Sequence, residues 1–361
     1  MTIEQDGVGE PGTPSHVPTP VRTRTGTVWA DVLDAISLRS FLLVIGTLGL
    51  GIGFVLSYDG ALHNPTLQNL PVTIVSQSQQ ATQQIVGQIG ALPGGMLAPS
   101  GGTDVATATR QVADRKTGAA FVYNVSGTQD TLIVASAAGS AQAAAVEKVF
   151  TSVDQKQGRT LTVNDVVPAG SRDFDGLSAF YLVVGWCVTG YLIASILGIS
   201  AGTRPATITR AVIRLVTVAL CGFVAALVGT LIVQRHELGA LGGAFWPMVA
   251  TGTLLILGVG AITMALEIAF GVIGIGLAVL LVVVLGNPSA GGAFPRSMLP
   301  PFWRAIGAFL PPGAGTDSVR SIAYFGGAQT GYPLLILGAY AALGILLSML
   351  LCALKPRPKS G

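Results

Sequence analysis

Few residues in this chain have types that do chemistry, and their spacing limits what they can do. The stretch "GISAG" (198–202) matches the G-x-S-x-G pattern around a hydrolase nucleophile. That pattern works on a strand-to-helix elbow, and here it ends an apolar segment. The three histidines are His16, His63 and His236. His16 lies in the N-terminal tail, and the other two are expected across the membrane from Ser200, so no triad is expected. Lys116 and Lys359 are the lysines followed by Thr or Ser, and neither has the glycines of a phosphate-cradling loop. Scattered histidines and unclustered cysteines argue against a metal centre. No catalytic or cofactor-binding residue is assigned, no cofactor is expected, and the chain reads as a non-enzyme. Asn124-Val125-Ser126 matches a glycosylation sequon but falls in an expected strand, where it reads as chance. Glu267 is the one acid in the apolar run 244–286. An ionisable group inside such a run marks a coupling or contact function by default. The blander reading, which we favour from sequence, puts Glu267 at a turn near cytoplasmic water.

The elements that must position these residues follow from composition. Of 361 residues, 50% are hydrophobic and 10% charged, against about 25% charged in an ordinary soluble domain. This balance predicts an integral membrane protein. A net charge of +3 is too small to suggest nucleic acid. Cys187, Cys221 and Cys352 all fall in apolar runs, so no disulfide framework is implied.

A spanning helix needs roughly 20 apolar residues. Segments 41–57, 177–199, 212–233 and 332–353 meet or approach that length. The run 245–285 is about twice as long, so it reads as two spans with a turn at 265–269, which makes six in all. Basic residues then set the orientation. Arg22, Arg24 and Arg39 precede the first span, Arg204 and Arg210 lie between spans two and three, and Lys355, Arg357 and Lys359 follow the last. Six spans put all three clusters on the cytoplasmic side. Arg296, Arg304 and Arg320 run against this pattern, in the outer segment between spans five and six.

The expected organisation is as follows. Residues 1–26, rich in Pro, Gly and Thr, form a disordered cytoplasmic tail. Residues 27–40 form an amphipathic interface helix, because Trp29, Val32, Leu33 and Ile36 recur at helical spacing while Asp31 and Asp34 lie largely elsewhere around the turn. On that pattern alone it is a membrane-surface anchor. The first span, 41–57, lacks a cleavage site and reads as an uncleaved anchor. Residues 58–176 form a small extracytoplasmic α/β domain. Its strands are 71–78, "GAAFVYNV", "TLIVASA" and "TLTVNDVVP", its helices are 79–92, 104–116 and 140–155, and "PGGMLAPSGG" is a link. Residues 177–354 hold spans two to six, and 355–361 form a basic cytoplasmic tail. Within 287–331, proline pairs at 300–301 and 311–312 bracket "FWRAIGAF", and Thr316 is placed to cap a helix at 317–325. These pieces are too short to span and suggest helices dipping into the outer leaflet. The fold class is thus a polytopic α-helical membrane protein: six transmembrane helices with a small α/β extracytoplasmic domain between helices 1 and 2.

Three stretches, "LPVTIVSQS", "DFDGLSAFYLVVGWCVTGYLIASILG" (173–198) and "LPPFWRAIGAFLPPGAGTDSVRSIAYFGG" (299–327), fit an order of one span, a large outer domain, then five spans and a basic tail. Over about residues 28–354 this resembles the type 2 ABC exporter permeases (the ABC-2 type transporter superfamily), and within them the YhgE/Pip-like membrane proteins. The outer domain here is short and lacks their extended coiled coil. The resemblance implies a bacterial multi-pass plasma-membrane permease with cytoplasmic termini, paired as a homodimer or heterodimer and driven by a separate ABC ATPase. It implies re-entrant helices at about 299–327 that close the path from outside, with Phe302, Trp303 and Arg304 at the outer gate. It also implies that Trp29, Asp31, Asp34, Arg204 and Arg210 meet the ATPase. Two further readings stand beside this one. The first is a non-transporting envelope scaffold or secretion accessory protein of the same architecture. The second is a proton-driven carrier, weakened because spans one to three and six have essentially no acid at mid-membrane.

Overall fold

The structure is a computed structural model that describes residues 38–203, 205, 207–235 and 239–354. Two compact units divide the chain, residues 1–45 and 46–361. Of the first, the described residues are 38–45, the start of α1 (Leu38–Leu62). The rest of this description concerns the second.

Among the described residues, six helices are long and apolar enough to cross a membrane. They are α1, α5 (Ser178–Ala201), α6 (Ile208–Gln234), α7 (Phe245–Phe270), α8 (Val272–Ser289) and α11 (Gly331–Leu354). Six spans were expected, and the chain has the make-up of a multi-pass membrane protein. The helix body is built around α7, which packs on α5, α6 and α11. Apolar side chains gain little by leaving lipid for one another, so close backbone approach must hold such helices together. Gly344 of α11 supplies one approach: a Cβ there would lie 2.5 Å from the backbone at Ala261 and Ile262 of α7.

The turn between α7 and α8 is at Gly271, not at 265–269. Gly271 has φ 66° and ψ −138°, a conformation open essentially to glycine alone. Nothing at Glu267 breaks the helix, so α7 continues to Phe270. The first span is also longer than 41–57, because polar Ser57, Tyr58 and Asp59 remain helical.

Between α1 and α5 lies a five-stranded sheet of order β2-β1-β3-β4-β5. Its strands are β1 (Leu70–Ser76), β2 (Leu97–Gly101), β3 (Ala119–Tyr123), β4 (Gln129–Val134) and β5 (Thr160–Asp165). Only the β3–β4 pair is antiparallel. Strand β2 falls in the segment read as a link. It is an edge strand, and Pro99 is tolerated there because one side of the strand needs no ladder donor.

Helices α2 (Gln79–Gly90), α3 (Val105–Ala113) and α4 (Ser140–Lys156) lie near their expected positions. Ser78 and Asp104 cap the first two by accepting from the backbone N–H of Ala81 and Thr107. Helices α2 and α4 cover one face through Ile85, Ile89, Val146 and Phe150, against Ile74, Phe121 and Leu132. The other face holds Val75, Ala120 and Ile133 under Ala108 and Val112 of α3. Neighbouring strand residues thus serve opposite faces, as a pleated strand dictates. Residues far along the chain complete both faces: Met298 is buried in the first and Phe325 in the second.

Two short helices precede the last span, α9 (Pro301–Gly307) and α10 (Pro311–Tyr324). Helix α10 starts at Pro311, not after Thr316, because proline suits a first helical turn that needs no N–H donor. Thr316 lies inside it and donates back to the Pro312 carbonyl at 2.7 Å. Nearly every residue of α10 is buried, packed on α5, α7 and α11.

Candidate functional site

The polar residues of α10 meet the sheet domain along a charged seam. Helix α3 ends in a Schellman motif, with Arg115 N–H bonded to the Val112 carbonyl and Lys116 N–H to that of Gln111. Arg115 takes the left-handed position usually given to glycine, at φ 59°. That conformation aims its guanidinium at α10. It donates to the Ser321 hydroxyl at 2.7 Å and to Asp317 Oδ1 at 3.3 Å, and lies over the Phe325 ring. The other oxygen of Asp317 pairs with Arg296 at 2.5 Å. One carboxylate therefore serves two arginines, one from the sheet domain and one from the loop before α9.

Arg320, one turn beyond Asp317, is 3% exposed. It donates to the carbonyls of Gly291 at 3.1 Å and Gly176 at 3.5 Å, and its Nε has no partner among the described residues. Beside it Tyr324 donates to Asp173 at 2.5 Å, and Asp173 also accepts from the Ser178 N–H at the start of α5. Burial, and then the Asp173 carboxylate, raise the Tyr324 hydroxyl above its ordinary range. Further ties run from Arg304 to the Gln68 carbonyl at 3.0 Å and from Ser297 to Gln142 at 2.5 Å. Arg115, Lys116, Gln142, Arg296, Asp317 and Arg320 share the wall of a cavity of about 360 Å³. A larger cavity of about 630 Å³, mostly apolar, opens where the end of α10 meets α7 and the start of α11.

Glu267 makes the second candidate. It is wholly buried, which corrects the reading that put it at a turn near water. The turn falls four residues later, and α5 and α6 close over the acid. Its carboxylate lies against Gly198, where a Cβ would come 2.2 Å from Oε2, and beside Ser195 and Arg214. Neither oxygen has a hydrogen-bond partner among the described residues, and neither does the Ser195 hydroxyl. Arg214 is engaged with the Ala201 carbonyl at 2.8 Å. A buried acid that has the Arg214 charge nearby but no hydrogen bond among the described residues is costly, so this arrangement marks a place where a proton, a cation or a moving donor has something to act on.

The other expected site residues are scattered. Trp29, Asp31, Asp34 and Arg204 lie outside the described residues. Arg210 is exposed at the start of α6, one turn from Arg214, and its N–H bonds to the Thr207 cap. Phe302 is exposed, and Trp303 lies against Gly60 of α1. Sequence reasoning missed Arg115, Asp317, Asp173 and Tyr324. Arg296 and Arg320 did carry a signal, since basic residues in that loop ran against the charge asymmetry. Their pairing with α10 and with buried carbonyls accounts for them. No family model, curated protein or solved structure matches the chain.

Proposed function

We propose that this chain is the membrane permease subunit of an ABC-type exporter, moving an unidentified substrate outward under the power of a separate ATPase. The observation that carries the reading is α10. A short, polar helix before the last span, buried among α5, α7 and α11 and tied to the sheet domain, has the build of a plug at the outer end of a path. The resemblance to type 2 ABC exporter permeases and YhgE/Pip-like proteins supports it, as does the order of one span, a folded domain and five spans. On this reading the sheet domain is outside the plasma membrane of a bacterium and both termini are cytoplasmic. Two permease chains pair, and residues 27–40 with Arg204 and Arg210 receive the ATPase. Glu267, near the cytoplasmic end of α7, then senses movement between α5 and α6.

A second reading is an envelope scaffold or secretion accessory protein that does not transport. The tight tie between the sheet domain and α10 favours it, because a fixed domain suits a platform. The experiment is co-purification of an ATPase with the native chain and with Asp31→Lys/Asp34→Lys. The permease reading expects capture by the native chain and loss in the double variant without loss of membrane insertion. Failure of the native chain to capture any ATPase favours the scaffold.

A further inference from the structure

We propose that the cavity between the sheet domain and α10 binds a phosphate-bearing molecule. This stands apart from the export reading and holds for a scaffold as well. The cavity, about 360 Å³, falls within the size of ordinary ligand sites. Four cations line it, Arg115, Lys116, Arg296 and Arg320, with Asp317 as the lining acid. Lys116 is offset at the rim by Asp114, at 3.1 Å with both side chains more than half exposed. Three arginines then face one carboxylate. Asp317 already serves Arg115 and Arg296. Arg320 is left with two neutral carbonyls and an Nε that no group satisfies. Asp317, and then Asp173, act on it at a distance, but Asp317 is bonded to the other two arginines and the oxygens of Asp173 are occupied by Tyr324 and the Ser178 N–H.

A buried cation with no carboxylate bonded to it is unfavourable. The fold nevertheless holds these three arginines together, on a wall made by the end of α3, the loop before α9 and α10. An anion supplied from outside relieves both the charge excess and the orphan donor. Guanidinium forks bind phosphate through paired, charge-assisted bonds. With Asp317 and Asp173 both counted, about one positive charge is left over, and the several forked donors suit the multiple oxygens of a phosphate better than a single carboxylate. The phosphate group could belong to a lipid headgroup or to a free, water-soluble molecule, since the chemistry is shared.

The full chain, purified in an uncharged detergent, would be titrated with inorganic phosphate and with short-chain phosphatidic acid. Short-chain phosphatidylcholine, a zwitterion, serves as the control. The expected result is saturable binding of phosphate or phosphatidic acid and not of phosphatidylcholine. Arg296→Gln should weaken it about tenfold, the effect of one charge-assisted bond. Lys116→Gln, an exposed change with little bearing on folding, should weaken it about twofold to threefold. Phosphatidic acid binding at least about tenfold tighter than inorganic phosphate assigns the site to a lipid headgroup; equal affinities assign it to a free phosphate compound. Absence of saturable binding by both probes, or binding unchanged in Lys116→Gln and Arg296→Gln alike, overturns the proposal. If Arg296→Gln fails to fold, Lys116→Gln decides.

Discussion

Asp317 accepts from two arginines that are far apart in the chain, and it is mostly buried. Removing the carboxylate while keeping its shape leaves Arg115, Arg296 and Arg320 facing one another. Asp317→Asn should therefore destabilise the purified chain by about 3 kcal/mol, the cost of breaking a buried pair. A thermal melt in detergent would register this as a clear fall in midpoint, and an unchanged midpoint would mean the seam is solvated. Asp154, on α4, gives a test of pH dependence. It is 2% exposed, and burial, then the neighbouring Asp130 charge, push its carboxyl up to about 6 against the pull of Arg159. The folded chain thus keeps a proton that the unfolded chain loses above its ordinary value of 3.8. This contribution is full below that value and is lost as the pH rises through about 6. Asp154→Asn should remove that part of the decline and raise stability at pH 8 by of order 2 kcal/mol. Equal pH profiles for the two proteins would refute the shift.

At the scale of elements, the sheet domain is not sealed by its own residues. Met298 and Phe325 are buried in its two cores, and the backbone of Thr66 and Gln68 bonds to Met298 and Ser297. Residues 60–170 expressed alone should still give mixed α/β circular dichroism, because the sheet and its three helices lie within them. Their melt should be less stable than in the whole chain by the loss of two buried plugs, each worth about 2–5 kcal/mol. A random-coil spectrum would mean that the plugs are needed for folding at all. Helices α7 and α11 depend on Gly344 in a comparable way. Gly344→Val must separate their backbones, so it should lower the melting midpoint in detergent and the yield of folded protein, whereas Gly338→Ala on an open face should not.

For the whole molecule, the proposed reading, in which all six apolar helices cross the membrane, expects both chain ends on one side and the sheet domain on the other. Single cysteines at Ser152, exposed on α4, and at Ser360 test which side is which, in a chain lacking Cys187, Cys221 and Cys352. An impermeant thiol reagent applied to intact cells should label the first and not the second. The reverse pattern would invert the proposed orientation, and equal labelling would sink the six-span arrangement.

Runs of apolar residues and alternating strands are local patterns, so the sequence by itself determined six helices of spanning length, the inserted α/β domain and its helices. Asp104, at the start of the expected helix 104–116, was legible as a cap because capping acts within one turn, whereas Ser78 was read as the end of a strand and caps α2 instead. The other errors came where distant contacts decide. "LAPSG" became a strand because β1 offered it an edge, and Pro99 disguised it. Glu267 looked like a turn residue because its burial depends on α5 and α6 closing over it. Of the charged seam, the basic residues of one loop were visible as an anomaly, but Arg115 lies 202 residues from Asp317. No periodicity encodes that meeting. Only the packing of α10 into the helix body, with the sheet domain seated above it, brings three arginines around one carboxylate.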